Sequence, residues 1–290
     1  MAEAVPPNLG AGILGRQRRV PLEGWVTTVA QKNSYPGGKA GSGVYQTLIN
    51  QIPPHDVYVS ATAGHDAVLR YKRPAARNIA IDLDPEPLKW WARDRDDVEL
   101  LNCCGVEWLR MQFGFYRLPD LDAGSCVESS SISRASRPGA TLANVAGSLG
   151  SAASRVFALL DPPYPGDVRT GGKLYRFDQQ DWAFHERLID TVLRLPIAVM
   201  LCCYPNEYYD DRLSDWRTVD YFSTCRSGER RRERLWLNYP EPTELHDYRY
   251  LGDDKRDRER IQRRQKTIRR KLERMTPLER LALFDGVWGD

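Results

Sequence analysis

An α/β fold built on a doubly wound, mostly parallel sheet is predicted by three features of this chain. Short apolar runs rich in Val and Ile end at turn-forming or acidic residues, helical patterns lie between them, and a hairpin signal closes the series. The runs are Val57–Val59, Ile79–Leu83, Val98–Leu101, Val156–Leu160 and Ile197–Leu201. Continuous apolar character suits strands covered on both faces, the condition of a parallel sheet.

Before the first run, Gly43–Ile52 predicts a helix with Val44, Leu48 and Ile49 inward. Asp178 is expected to cap a helix whose Leu188, Ile189, Val192 and Leu193 form one stripe. The alternation then stops. Arg217–Thr224 and Arg234–Tyr239 read as strands, and Arg226-Ser227-Gly228-Glu229 between them as a hairpin turn.

Outside this core, residues 1–25 are Pro/Gly-rich with a small basic cluster at Arg16–Arg19 and read as a flexible lead-in. Ala123–Ser154 is rich in Ser, Gly and Ala and reads as a long loop within an insert over 111–155. A catalytic domain is therefore expected over 26–245, and a basic helical extension over 246–290. Asp253–Met275 predicts a helix. Thr276-Pro277-Leu278-Glu279 starts another, with Thr276 as cap and Glu279 reaching back, and Leu281, Leu283 and Phe284 placed to dock it on the core.

Composition narrows the function. Hydrophobic residues at 41% and charged residues at 28% are the balance of a globular protein, and no apolar run approaches a bilayer span. The six cysteines show no C-x-x-C spacing, so no metal site is expected; reduced thiols in a cytoplasm are the reading. The net charge of +3 conceals an asymmetry. Asp253–Met275 carries eleven Lys/Arg against five Asp/Glu, so the rest of the chain is net negative. A polyanionic partner suits that distribution; association with a partner protein, or self-association, through the same helix is the other expectation.

The sharpest chemical signal is Asp161-Pro162-Pro163-Tyr164, directly after the apolar run Val156–Leu160. That places it at a carboxyl strand end, where open α/β sheets bind ligands. An adenine amino group is a poor nucleophile because its lone pair is delocalised into the ring. Two acceptors aimed at its hydrogens, the Asp161 carboxylate and the Pro162 carbonyl, favour a pyramidal nitrogen. Tyr164 is expected to stack on a base taken out of the duplex. Paired glycines at 37 and 38 permit close backbone approach to a ligand, and Lys39 is placed to pair with a carboxylate. Asp82 ends a strand, from which it can accept from ribose hydroxyls.

Over about residues 32–239 the chain resembles the Dam-like, DNA adenine-specific methyltransferases, including small phage and prophage members. Tyr35-Pro36-Gly37-Gly38-Lys39 is similar to the family's aromatic-x-G-G-K opening motif. Pro53–Val59 leads into the strand before the cofactor loop, and Asn78–Asp84 is similar to the second acidic motif. After the tetrapeptide come Arg169, Tyr175-Arg176, Tyr204, Trp216-Arg217, Arg226-Ser227-Gly228 and Leu235-Trp236-Leu237-Asn238 in the family's order. The resemblance implies a class I S-adenosylmethionine-dependent methyltransferase fold: a Rossmann-like, mostly parallel seven-stranded sheet with a terminal antiparallel hairpin. It implies S-adenosylmethionine as cofactor, held by Tyr35, Gly37, Gly38, Lys39, Ala63, Gly64, Asp82 and Asp161. It further implies direct in-line methyl transfer to adenine N6, with Asp161, Pro162, Pro163 and Tyr164 as the catalytic residues. In this family target recognition sits between the third motif and the tetrapeptide, here Met111–Arg155.

The chain departs from the pattern in the cofactor loop, Ser60-Ala61-Thr62-Ala63-Gly64-His65-Asp66. There Ser60 replaces the usual acid and only Gly64 remains of the signature glycines. Cys104 stands where the family often has an Asp that holds the cofactor's adenine. Double-stranded DNA is the expected partner, its phosphates met by Arg169, Lys173, Arg226, Arg230 and Arg231. Two alternatives stand beside this reading. One keeps the chemistry with structured RNA as substrate; the other is a non-catalytic nucleic-acid-binding protein on a methyltransferase scaffold.

Overall fold

A computed structural model describes residues 38–114, 155–169, 174–224 and 228–288. All fall in one compact unit, Tyr35–Asp290.

Seven strands form one sheet: β1 Val57–Ser60, β2 Arg77–Asp82, β3 Val98–Asn102, β4 Val156–Leu160, β5 Ala198–Cys203, β6 Arg217–Thr224 and β7 Arg230–Leu237. Their spatial order is β3-β2-β1-β4-β5-β7-β6. The first five run parallel, and β7 pairs antiparallel with both β5 and β6. The chain travels from β1 outward to β3, then returns to lay β4 on the other side of β1. The order therefore reverses between β1 and β4, which opens a crevice at their carboxyl ends.

The central strands are largely apolar because helices cover both faces. On one face Val59, Ile81, Ala158, Leu160 and Leu201 pack with Trp108 and Leu109 of α4 (Gly105–Gln112) and Leu188 and Ile189 of α5 (Trp182–Val192). On the other, Tyr58, Ala80, Phe157 and Met200 meet three helices. They are α1 (Val44–Ile49), α2 (Ala67–Tyr71) and α3 (Pro85–Asp94), which contribute Leu48, Val68 and Trp91. Period-2 alternation in the strands sends neighbouring residues to opposite cores.

Local expectations meet the structure unevenly. Asp181, not Asp178, caps α5 by accepting from the Phe184 amide at 2.9 Å. Asp178 is engaged elsewhere, as described below. After α6 (Glu207–Arg212) and the hairpin, packing runs past residue 245. The His246 amide donates to the Ile52 carbonyl at 2.9 Å, and buried Asp247 accepts from the Arg73 amide at 2.8 Å. The basic helix is α7, Lys255–Glu273, and buries no residue. Helix α8 (Pro277–Trp288) opens on the expected reciprocal cap between Thr276 and Glu279. Its docking is corrected: Leu281 is 66% exposed, and Leu278, Leu283 and Phe284 are exposed too, so α8 does not cover the core with these side chains.

Under the amino ends of β1 and β2 lies a cluster of buried bases. His55 stacks on His246 with ring centroids 3.8 Å apart. Lys72 is buried with its ammonium 4.2 Å from the Tyr58 ring centroid and 3.4 Å from Asn78 Oδ1. Burial pushes Lys72 down to about 7; Asp66 and Asp247 oppose the shift and Arg95 adds to it. Because the folded pKa lies below the unfolded one, the unfolded chain binds more protons and stability falls as pH drops from about 10.5 to about 7. His246, lowered to about 4 by burial, extends the decline below 6.5. Denaturant unfolding at pH 7 and pH 10 is expected to show wild type gaining stability relative to Lys72→Met as pH rises, a comparison that cancels the opposing effect of buried Cys202, Cys203 and Tyr58, whose raised pKa values act the other way. An equal pH dependence in the two proteins would remove Lys72 as a contributor.

Candidate active site

Two loops meet at the crevice between β1 and β4. The one after β1 turns at Gly64, whose φ of +42° lies in the left-handed region. It is pinned from three directions. The Ala63 amide donates to the Ile81 carbonyl at 2.8 Å, the Gly64 amide to Asp82 Oδ2 at 2.7 Å, and Trp91 Nε1 to the Gly64 carbonyl at 2.8 Å. Asp82 also accepts from the Asp84 amide at 2.8 Å. Burial raises Asp82 to about 6 despite those two amide donors. The replaced acid of this loop has a local substitute: Ser60 Oγ donates to Asp66 Oδ2 at 2.8 Å, and Asp66 caps α2.

The second loop begins where β4 ends. The Asp161 amide donates to Thr62 Oγ1 at 2.8 Å, which ties the tetrapeptide to the first loop. Between them lies an open cleft. Gly38, Lys39, Ala63, Gly64, Asp82, Asp161 and Pro163 all line it, so residues far apart in sequence come to one place. Cys104 lines it too, at the start of α4, with burial raising its thiol. Tyr175, Arg176 and Phe177 close the far side. Pro162 is buried. Tyr35 and Gly37 lie outside the described residues, as do residues 115–154 of the expected recognition insert.

Lys39, in the cleft lining, also meets the tetrapeptide. Its ammonium reaches Asp161 Oδ2 at 2.7 Å and Oδ1 at 2.8 Å, the Tyr164 hydroxyl at 3.0 Å and Glu233 Oε2 at 3.3 Å. Lys39 is thus spent on the tetrapeptide's own carboxylate. Tyr164 is likewise drawn into this cluster: its hydroxyl is 2.6 Å from Glu233 Oε2 and its ring meets Tyr204 edge-on at 4.7 Å. Burial raises Asp161 to about 6, with Lys39 opposing and Glu233 adding to the shift. Glu233 goes the other way. Burial would raise it, but the Lys39 charge and the hydroxyls of Ser223, Tyr164 and Tyr221 hold it below the usual carboxylate range. Burial by itself would lower Lys39, and the two carboxylates raise it well above the ordinary lysine value.

Glu233 was absent from the expected site. Its signal was nevertheless present: in Arg230-Arg231-Arg232-Glu233-Arg234-Leu235-Trp236-Leu237 the one acid shares its strand face with Leu235 and Leu237, the buried side.

Of the expected phosphate contacts, Arg169, Arg230 and Arg231 are described. Arg169 forms a bidentate pair with Asp178 at 2.8 and 3.1 Å, both side chains buried. Arg231 pairs with Glu229 at 2.8 Å. Arg230 is exposed and lies over Phe222, 4.6 Å from its centroid. Lys173 and Arg226 lie outside the described residues. Among the described residues no group of His, Cys, Asp and Glu is arranged to hold a metal ion, and no helix is long and apolar enough to cross a membrane.

A five-stranded parallel core continued by an antiparallel hairpin, with ligand loops at the β1/β4 switch, defines the class I S-adenosylmethionine-dependent methyltransferase fold. No family model and no curated protein sequence matches the chain. Among solved structures it is similar to precorrin 8w decarboxylase from Methanobacterium thermoautotrophicum (11% identity, 73% of this chain and 96% of that one, TM-score 0.38). It is also similar to a SAM-dependent methyltransferase from Agrobacterium tumefaciens (9%, 67% and 58%, TM-score 0.35). A third is an rRNA methylase from Streptococcus thermophilus (13%, 67% and 92%, TM-score 0.32). Likenesses this distant say nothing of substrate.

Proposed function

We propose that this protein transfers a methyl group from S-adenosylmethionine to the N6 amino group of adenine in DNA. One observation carries the reading: the Asp161 carboxylate stands at the β4 end, where it lines the cleft and meets Lys39 and Tyr164 of the Glu233 cluster. The cleft suits the cofactor in its lining, which includes Asp82 and Ala61–Gly64. When bound, the cofactor supplies an electrophilic methyl on a sulfonium.

The chain supplies orientation. Asp161 accepts from the target amino group and directs its lone pair at the methyl carbon. With the cofactor held along Asp82 and Ala61–Gly64, its methyl would pass to that nitrogen and the C–S electron pair would leave with sulfur. The methylated nitrogen, briefly cationic, then gives its extra proton to Asp161, whose pKa near 6 lets it accept and pass the proton to water.

Incubation with labelled cofactor and DNA or RNA, followed by nucleoside separation, tests this. Label in 6-methyladenine from DNA supports the reading, label only in RNA reassigns the substrate, and no label with retained DNA binding leaves a binding protein.

For affinity we assign the main phosphate surface to α7. Its Arg263, Arg264, Arg270 and Lys271 are exposed and make no ion pair among the described residues, unlike the hairpin arginines 231, 232 and 234. Neutralising these four is expected to reduce the slope of log affinity against log salt by about 2 to 4, since each released counterion contributes about 0.9. An unaltered slope would take α7 off the binding surface.

A further inference from the structure

The acceptor that the target amine needs is already occupied. Lys39 holds both oxygens of Asp161, at 2.7 and 2.8 Å, and the same ammonium is 3.3 Å from Glu233 Oε2. Left on Asp161, it would set a positive charge beside the nitrogen that must attack a cationic methyl donor, and it would compete with the amine for the carboxylate. Among the described residues, Glu233 is a second carboxylate within reach of Lys39. Glu233 is 6% exposed and held by donors on three sides: Tyr221 OH at 2.8 Å and Tyr164 OH at 2.6 Å on Oε2, and Ser223 Oγ on Oε1. A carboxylate so fixed stays in place while a lysine moves under about 1 Å to close a charge-assisted contact.

We infer that Glu233 is a positioning residue that draws Lys39 off Asp161 as the target amino group enters, so that one lysine serves two carboxylates in turn. The inference rests on the methyltransferase reading above. In the resting protein Lys39 neutralises Asp161; in the substrate complex it pairs with Glu233, and Asp161 is free to grip the amine. No proton changes hands in the exchange. Tyr164 couples the two states, since its hydroxyl accepts from Lys39 at 3.0 Å and donates to Glu233.

Glu233→Gln removes the second seat while keeping shape. At saturating cofactor and nucleic acid, kcat is expected to fall at least about thirtyfold, while nucleic-acid KM and the calorimetric cofactor affinity stay within about threefold. The decisive variant is the double change. Lys39→Gln added to Glu233→Gln is expected to be at least about tenfold faster than Glu233→Gln alone, because the obstructing ammonium is gone. A merely structural Glu233 predicts the double variant to be as slow or slower. A second readout needs neither substrate nor cofactor: carbon NMR of the Asp161 carboxyl is expected to show it titrating at lower pH in Glu233→Gln, since the neighbouring negative charge is removed. Should the glutamine variant fold poorly, Glu233→Asp, which keeps the charge at greater reach, is expected to retain intermediate activity with normal melting. An active wild type with no loss in Glu233→Gln, or no recovery in the double variant, overturns the exchange alone. A wild type that methylates neither DNA nor RNA overturns the enzymatic reading and the exchange with it.

Discussion

Asp161→Asn is expected to slow methyl transfer by at least about a thousandfold, corresponding to roughly 4 kcal/mol of lost transition-state stabilisation. The amide cannot supply a full negative charge to the developing ammonium, and one of its two polar atoms becomes a donor. The fold should survive. Breaking a buried ion pair usually costs stability because it strands the partner, but here Lys39 keeps Glu233, 3.3 Å away. Single-turnover transfer assays, paired with thermal unfolding and cofactor titration, separate these effects. Activity within tenfold of wild type, in a folded variant, would falsify the role given to this carboxylate.

A second large effect is expected at a residue that touches no substrate. A Cβ placed on Gly105, the first residue of α4, would lie 1.7 Å from the Ala61 carbonyl oxygen and 2.6 Å from its carbonyl carbon. Both atoms are backbone of the loop that turns through Gly64 and lines the cleft, so no side chain can swing aside. Gly105→Ala must move either the start of α4 or the loop. Overpacking of this kind costs about 1–3 kcal/mol or more. Because the displaced loop is the proposed cofactor wall, cofactor affinity should fall at least about tenfold, close to 1.4 kcal/mol. Gly166→Ala is the comparison: its nearest neighbour is the movable end of the Gln180 side chain at 3.0 Å, so little change is expected. Normal cofactor binding by Gly105→Ala would show that this loop does not shape the site.

The central strands were legible because burial on both faces leaves apolar runs, which β4 and β5 show throughout and β1 and β2 show between or before polar ends. The start of β7 was not. Arg230–Glu233 has no apolar residue to mark it, and what makes it a strand is its register with Thr224, Ser223, Phe222 and Tyr221 across the hairpin. The cap of α5 was placed three residues early for a related reason. Asp178 and Asp181 are equally good caps in sequence, and only the ion pair with Arg169 removes the first from competition. Helix α8 shows the reverse error: its cap is correct locally, but apolar content does not say what lies opposite.

Sequence by itself determined the class of sheet, the position of Asp161-Pro162-Pro163-Tyr164 at a strand end, and the glycine turn of the β1 loop, since each depends on neighbours within a few residues. Tertiary structure decided which charges meet. Lys39, Asp161 and Glu233 come from an opening loop, the middle of the sheet and the last strand, yet share one buried ammonium contact. A charge's partner is set by Coulomb attraction and desolvation in three dimensions, and spacing along a chain carries neither.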